Sequence, residues 1–305
     1  MKTIIFSFPG NELLSGNIIA GIAGEKGEFT LRQFPDGESY LRIMSDVAGK
    51  DVFIICTLHQ PNGKILPLLF LCNELRDLKA KSIGLIAPYL AYMRQDKRFN
   101  PGEALSSQYF AKLISSMADS LITIDPHLHR RASMKEIYSI PCELLHATEL
   151  ISAWIKKNIP DAIIIGPDSE SEQWVSEVAK NADVPFTVLQ KVRKGDRDVE
   201  VSVPHIEKYR NLTPVLVDDI ISTARTMIVT VQQLIKAGMK PPVCIGVHAV
   251  FSDNAYEDLN KSGVSQIVTC NTIKHQSNGI DVAEMIVNTL KRQENRLQQF
   301  PKSSE

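Results

Sequence analysis

Val215-Leu-Val-Asp-Asp-Ile-Ile-Ser-Thr-Ala-Arg-Thr226 opens with three apolar β-formers, which read as a buried parallel strand. Two adjacent carboxylates, Asp218 and Asp219, stand where that strand is expected to end. The small hydroxyl residues Ser222, Thr223 and Thr226 follow, and a helical pattern begins at about Met227. In an open α/β sheet, ligands bind in the crevice at the carboxyl ends of the strands. Hydroxyls and backbone N–H groups at a helix N-terminus suit a phosphate. Two carboxylates just ahead of them suit the hydroxyls of a sugar, or a hard cation. The stretch therefore reads either as a sugar-phosphate cradle or as an acidic strand end with an ordinary N-cap.

Around it the chain alternates strand and helix. Apolar runs at Thr3–Phe8, Asp51–Ile55, Ser82–Ile86 and Ser120–Ile124 predict strands, as do Ala162–Ile165, Val243–Val247 and Gln266–Thr269. Helical patterns at Glu12–Ala23, Lys64–Leu78 and Leu105–Met117 lie between the first set. Those at Glu149–Lys157, Trp174–Asn181, Thr226–Ala237 and Ala255–Ser262 lie between the second, and Val282–Phe300 reads as a last helix. This predicts an α/β protein of two successive β/α units, residues 1–146 and 147–305, meeting near Leu145–Thr148. A net charge of −1 builds no field for nucleic acid or anionic lipid. The five cysteines have no metal-ligand spacing and read as buried thiols in a reducing compartment. No run approaches the ~18–20 apolar residues of a membrane span. A cytoplasmic protein is expected.

Several loops carry chemistry. Phe34-Pro-Asp-Gly-Glu38 holds a tight-turn signature flanked by an aromatic and a carboxylate, a pair that can stack on and hydrogen-bond a purine. Ala87–Arg98, after a parallel strand, offers Arg94, Lys97 and Arg98 beside two tyrosines and Gln95; a planar guanidinium suits phosphate oxygens. Asp125-Pro-His-Leu-His129 offers imidazoles to a metal or a phosphate. Gly166-Pro-Asp168 ends a strand, and Gln190–Asp198, with four cations and no apolar periodicity, reads as a mobile loop.

Taken in order, Phe34–Glu38, Tyr92–Arg98, Asp125-Pro-His127, Gly166-Pro-Asp168, Lys191-Val-Arg193 and Val217–Thr226 resemble the motif set of the ribose-phosphate pyrophosphokinases, the phosphoribosyl pyrophosphate (PRPP) synthetases. The resemblance runs from about residue 28 to about residue 273 and includes His248–Ser252 and Asn271–Ile273. It implies two tandem type I phosphoribosyltransferase-like domains with mainly parallel sheets, related by a pseudo-twofold. It implies Mg²⁺-dependent transfer of the β,γ-diphosphoryl group of ATP to the C1 hydroxyl of ribose 5-phosphate, giving PRPP and AMP. Phe34, Asp36 and Glu38 would contact adenine from a neighbouring subunit of a homo-oligomer. Arg94, Gln95, Asp96 and His127 would hold ATP, and His127 with Asp168 would help place the metal. Lys191 and Arg193 would be the catalytic pair closing over the transferred group. Asp218 and Asp219 would bind the ribose hydroxyls, and Ser222, Thr223, Ala224, Arg225 and Thr226 the 5-phosphate.

The chain departs from the resembled pattern at four places. Arg225 stands where the phosphate loop normally has Gly, a residue that allows close approach and unusual φ. Ser222 stands where many members have Asp, and Glu170-Ser171 where a Gly-Gly pair is common. Ala48 stands where the regulated branch carries an Arg serving a phosphate/ADP effector site. Two other functions compete: a non-catalytic homologue that regulates a true synthetase, and a phosphoribosyltransferase acting on PRPP. Lys191 and Arg193 argue against the first, and the adenine and ATP segments against the second.

Overall fold

In the computed structural model, the described residues are 3–128, 130–166, 171–193, 199–202 and 206–299, with side chains described except at 190–207 and 296–299. The chain divides into two units, Met1–Leu145 with Val282–Glu305, and His146–Asp281.

Unit 1 begins with β1 (Ile4–Ser7), α1 (Glu12–Ile22) and β2 (Glu25–Gly27). A hairpin of β3 (Phe29–Gln33) and β4 (Ser39–Ile43) follows. Then come β5 (Asp51–Ile55), α2 (Asn62–Asp77), β6 (Ser82–Ala87), α3 (Ser106–Met117), β7 (Ser120–Ile124) and β8 (Cys142–Leu145). Unit 2 holds α4 (Thr148–Asn158), β9 (Ala162–Gly166), α5 (Glu172–Ala182) and β10 (Phe186–Val188). A second hairpin pairs β11 (Gln190–Arg193) with β12 (Val199–Ser202). After it come β13 (Thr213–Ile221), α6 (Arg225–Lys236), β14 (Val243–Ala249), α7 (Ala255–Lys261), β15 (Gln266–Cys270) and β16 (Asn278–Ile280). The final helix, α8 (Ala283–Gln299), belongs to unit 1 and packs on α1.

Each unit is built on a six-stranded sheet, ordered β2-β1-β5-β6-β7-β8 in one and β10-β9-β13-β14-β15-β16 in the other. All the pairings within both sheets are parallel. The two orders are the same, and in each the hairpin is inserted between the second and third strands of the unit. The expected α/β architecture with mainly parallel sheets is therefore borne out. Its central strands are apolar because helices cover both faces of a parallel sheet. In unit 1, Ile4, Phe6, Val52, Ile54 and Leu85 pack with Leu68, Leu71 and Leu75 of α2. In unit 2, Ile163, Ile165, Leu216 and Cys244 pack with Val231 and Leu234 of α6. At α1, a Cβ on Gly21 would meet Val287 Cγ2 at 2.6 Å, so the missing side chain lets α8 approach. The Thr3 hydroxyl donates to Glu294 Oε1 at 2.7 Å on the same helix.

The segment expected to be a loop at Gln190–Asp198 begins as a strand. Gln190 to Arg193 pair with Ser202 to Val199. Ladder bonds are made by the backbone, so a charged segment can pair without apolar periodicity. Residues 194–198 lie outside the described set.

Candidate functional site

The decisive stretch forms a longer strand than its carboxylates suggest. β13 pairs with β9 only as far as Leu216↔Ile165, but with β14 through Asp218↔Gly246 and Ile220↔His248 to Ile221↔Ala249. Asp218 and Asp219 therefore lie within the strand, at the place where β13 has outrun β9. Gly246 permits this: a Cβ there would meet Ile221 Cγ1 at 2.6 Å. The gap between β9 and β13 is where the strand order reverses, the position at which open parallel sheets bind ligands. Asp219 N–H donates to Asp218 Oδ1 at 2.9 Å, and both side chains are half-buried.

Beyond Ile221 the chain turns into α6. Ala224 takes the left-handed conformation, φ 55° and ψ 7°, and Arg225 is the first helical residue. The unusual φ expected at the Gly-to-Arg position thus falls one residue earlier. Arg225 is spared that strain, is exposed, and brings a cation to the helix start. Thr223 and Thr226 are exposed beside it, while Ser222 is half-buried. Amides in the first turn of a helix have no intrahelical acceptor and carry the positive end of its dipole. The turn can therefore bind an anion, and the strand end before it can accept hydrogen bonds from hydroxyls.

Unit 2 also contributes β11, whose backbone carries Lys191 and Arg193; their side chains and Asp168 lie outside the described set. Behind the cradle, His248 is fully buried, with Nδ1 2.9 Å from Thr272 Oγ1, which in turn donates to Val247 O at 2.8 Å.

In unit 1 the remaining candidates fall at two places. Phe34, Asp36 and Glu38 form the exposed tip of the β3–β4 hairpin. Phe34 N–H donates to Glu38 O at 2.8 Å, and Glu38 N–H to Asp36 Oδ1 at 3.1 Å. Arg32 lies 4.8 Å from the Phe34 ring centroid and 4.2 Å from that of Tyr40, a cation beside both rings.

Arg94, Gln95 and Asp96 follow β6, and His127 follows β7. These strands are neighbours, so both segments leave the sheet at one edge. Arg130 Nη1 joins them, lying 3.1 Å from Asp96 Oδ1. Arg131 Nη2 donates to Asp96 O and to Ser107 Oγ, each at 3.3 Å. The Asp96 carboxylate is almost fully covered, which makes it a group that orders the segment. Glu103 accepts from Phe99 N–H at 2.7 Å and Asn100 Nδ2 at 2.6 Å, and Arg98 donates to its carbonyl at 3.0 Å. Arg94 stays exposed. Tyr92 has φ 64°, with its hydroxyl on Asn62 Oδ1 and its ring 4.8 Å from Phe110. Asp125 and His127 also have positive φ, 36° and 56°. Backbone strain of this kind gathers where loops are held for a purpose. Arg130 and Arg131 were missed by sequence reasoning, although they directly follow the Asp125–His129 motif.

Among the described residues no group of three or more His, Cys, Asp or Glu is arranged to hold a metal ion. The five cysteines are free thiols, four of them buried and Cys142 half-buried. Burial pushes Cys56 up to about 12, so it is an inert thiol at neutral pH. Among the described residues no helix is long and apolar enough to cross a membrane.

Comparison with known proteins bears on both units. A model of the N-terminal domain of ribose phosphate pyrophosphokinase matches residues 3–118, and a phosphoribosyl transferase domain matches residues 133–284. The ribose-phosphate pyrophosphokinase of Sulfurisphaera tokodaii is 34% identical over 259 residues, 83% of this chain and 87% of that protein. That of Methanobrevibacter smithii is 30% identical over 272 residues, 85% and 90% of the two chains. The crystal structure of phosphoribosylpyrophosphate synthetase from Mycobacterium smegmatis shares the fold, with TM-score 0.85, 23% identity, and 97% of this chain and 100% of that chain covered.

Proposed function

The chain belongs to the ribose-phosphate pyrophosphokinase family, and from that premise we propose what its residues do in the reaction. The protein is a ribose-phosphate diphosphokinase with two phosphoribosyltransferase-like domains. The C1 hydroxyl oxygen of ribose 5-phosphate attacks the β-phosphorus of ATP. The bond from that phosphorus to the α–β bridging oxygen breaks, AMP leaves, and the hydroxyl proton passes to solvent.

Phosphoryl transfer asks little covalent chemistry of a protein; it asks for alignment and for charge where charge develops. Asp218 and Asp219 orient the ribose through its hydroxyls, and Ser222–Thr226 take the 5-phosphate at the start of α6. The observation that carries this reading is the C-terminal part of β13: two carboxylates at the order reversal, then two isoleucines that finish the strand, then hydroxyls and a helix N-terminus. Lys191 and Arg193 neutralise charge on the diphosphoryl group and on the leaving oxygen. Arg94 and Gln95 hold the polyphosphate, on a segment fixed by Asp96, Arg130 and Arg131. Phe34, Asp36 and Glu38 receive adenine across a homo-oligomer interface, which is consistent with an exposed aromatic at a hairpin tip.

His127 and Asp168 would be the protein groups that hold Mg²⁺ alongside the substrate phosphates, and the ion would supply further charge neutralisation when bound. That donor set fits an ion that keeps few protein ligands. The net charge of −1 builds no field for nucleic acid or anionic lipid, and the cytoplasm suits five free thiols. The test is incubation with ATP, ribose 5-phosphate and Mg²⁺. AMP and PRPP are expected in equal amounts; no AMP with any divalent metal overturns the reading.

A further inference from the structure

The loop after β14 is fastened to the last residue of β13 and the residue after it by three hydrogen bonds. Phe251 N–H donates to Ile221 O at 2.8 Å, and Ser252 N–H donates to Ser222 O at 3.1 Å. The Ser222 and Ser252 hydroxyl oxygens are 3.1 Å apart and share a hydrogen bond. These contacts fall on the two residues that lead from the strand into the phosphate turn. We propose that Ser252 is a positioning residue for ribose 5-phosphate, holding Ser222 and the turn behind it in the geometry that receives the sugar phosphate. This rests on the cradle assignment above.

What holds Ser252 in turn is visible. Phe251 has φ 34° and Asp253 φ 54°. Non-glycine residues keep such values only where their surroundings over-determine them. Here the surroundings are rings: Phe251 lies 4.7 Å from His275 and 5.2 Å, edge to face, from Tyr256, and these two are 4.8 Å apart. His275 is anchored by its N–H to Asn278 Oδ1 at 2.9 Å and by Ser277 N–H to its Nδ1 at 3.2 Å. Asn278 Nδ2 then reaches Thr269 Oγ1 at 2.9 Å and Cys270 O at 3.0 Å, at the end of β15. The brace therefore runs from the sheet, through His275 and Phe251, to the Ser252 hydroxyl. Burial lowers the His275 pKa, with Glu257 opposing, which favours the neutral ring that accepts from Ser277.

Ser222 is short. Its hydroxyl shares a hydrogen bond with the Ser252 hydroxyl, thirty places away in sequence, which ties the turn to the loop after β14. Loss of one such hydrogen bond is worth roughly 2- to 10-fold in an equilibrium.

The test is steady-state kinetics on Ser252→Ala and Ser252→Thr. For Ser252→Ala the expected result is a KM for ribose 5-phosphate raised about 5- to 10-fold, with the KM for ATP within about twofold and the melting temperature within a few degrees. Ser252→Thr, which keeps the hydroxyl, is expected to restore the parent KM. Ser222→Ala/Ser252→Ala together should lose no more than the worse single variant, since the pair acts as a unit. An unchanged KM for ribose 5-phosphate in Ser252→Ala, or equal losses for both substrates, overturns the proposal while leaving the reaction assignment intact. A parent protein that forms no AMP overturns the assignment and the proposal with it.

Discussion

At the strand-order reversal of unit 1, between β1 and β5, a side chain closes the crevice. Asn11, buried, donates from Nδ2 to Phe8 O at 3.0 Å and accepts from Thr57 N–H at 3.0 Å, tying one strand exit to the other. Lys64, whose pKa burial lowers, donates to Thr57 O at 2.7 Å from the first turn of α2. At the matching place in unit 2, between β9 and β13, stand Asp218 and Asp219, followed by the turn into α6. The two inserted hairpins differ in the same way. The first presents an aromatic tip, Phe34, and the second carries the cations Lys191 and Arg193. One topology has thus been used twice. One copy satisfies its own crevice with Asn11 and offers its surface loops; the other leaves two carboxylates and a helix start at the crevice. A switch point is an opportunity that particular side chains take up or fill.

The comparison can be broken most severely at the second hairpin. Lys191→Ala is expected to lower kcat about 10²- to 10³-fold while binding of ribose 5-phosphate, measured by calorimetry, changes little. If turnover survives, the two hairpins do not differ in chemistry as argued. Asn11→Ala tests the other crevice. It removes the acceptor of the buried Thr57 N–H and should cost about 1–3 kcal/mol of stability, read from urea unfolding, with kcat within about twofold for the folded protein. A large loss of turnover at full stability would make that crevice a working site. The smallest effect concerns the amino ends of the strands, where the units are alike. Burial of Asp51 opposes its charge, but hydrogen bonds from Ser82 and Lys81 outweigh this and hold its carboxyl below 3.8. Asp161 is held below 3.8 chiefly by Lys240, with a smaller part from Thr213. Carboxyls with lowered pKa values contribute stability that is present above pH 3.8 and lost as pH falls through the lower folded values. Asp51→Asn/Asp161→Asn should therefore show a shallower acid limb below pH 3.8 than the parent, followed by circular dichroism. Identical acid limbs would remove this likeness.

Much of this arrangement was legible because buried parallel strands are continuous apolar runs. Asp51–Ile55, Ser82–Ile86 and Val243–Val247 could be found that way. The flanking strands β2, β8 and β16 could not, since three or four residues hold no period. The segments bearing the candidate residues were legible from their residue types, but not how those residues are held. Asp218 and Asp219 looked like a strand's end because carboxylates are poor strand formers. The ladder continued through them because Gly246 leaves room for Ile221. The Asp96–Arg130 pair and the Ser222–Ser252 pair join distant positions, and no local pattern announces a tertiary contact. The return of α8 to unit 1 was hidden for the same reason. An amphipathic helix declares that one face will be covered, without declaring by what.

That return has a consequence for how the protein is made. During synthesis residues 146–281 emerge whole before Val287 exists to meet Gly21, or Glu294 to meet Thr3. The first unit to leave the ribosome is therefore the last to be finished. At roughly 5–20 residues per second, α1 waits about 13 to 53 seconds for its covering helix, while unit 2 already has its full sheet. In living cells, the nascent chain's exposure to chaperones should concentrate on the α1 face of unit 1.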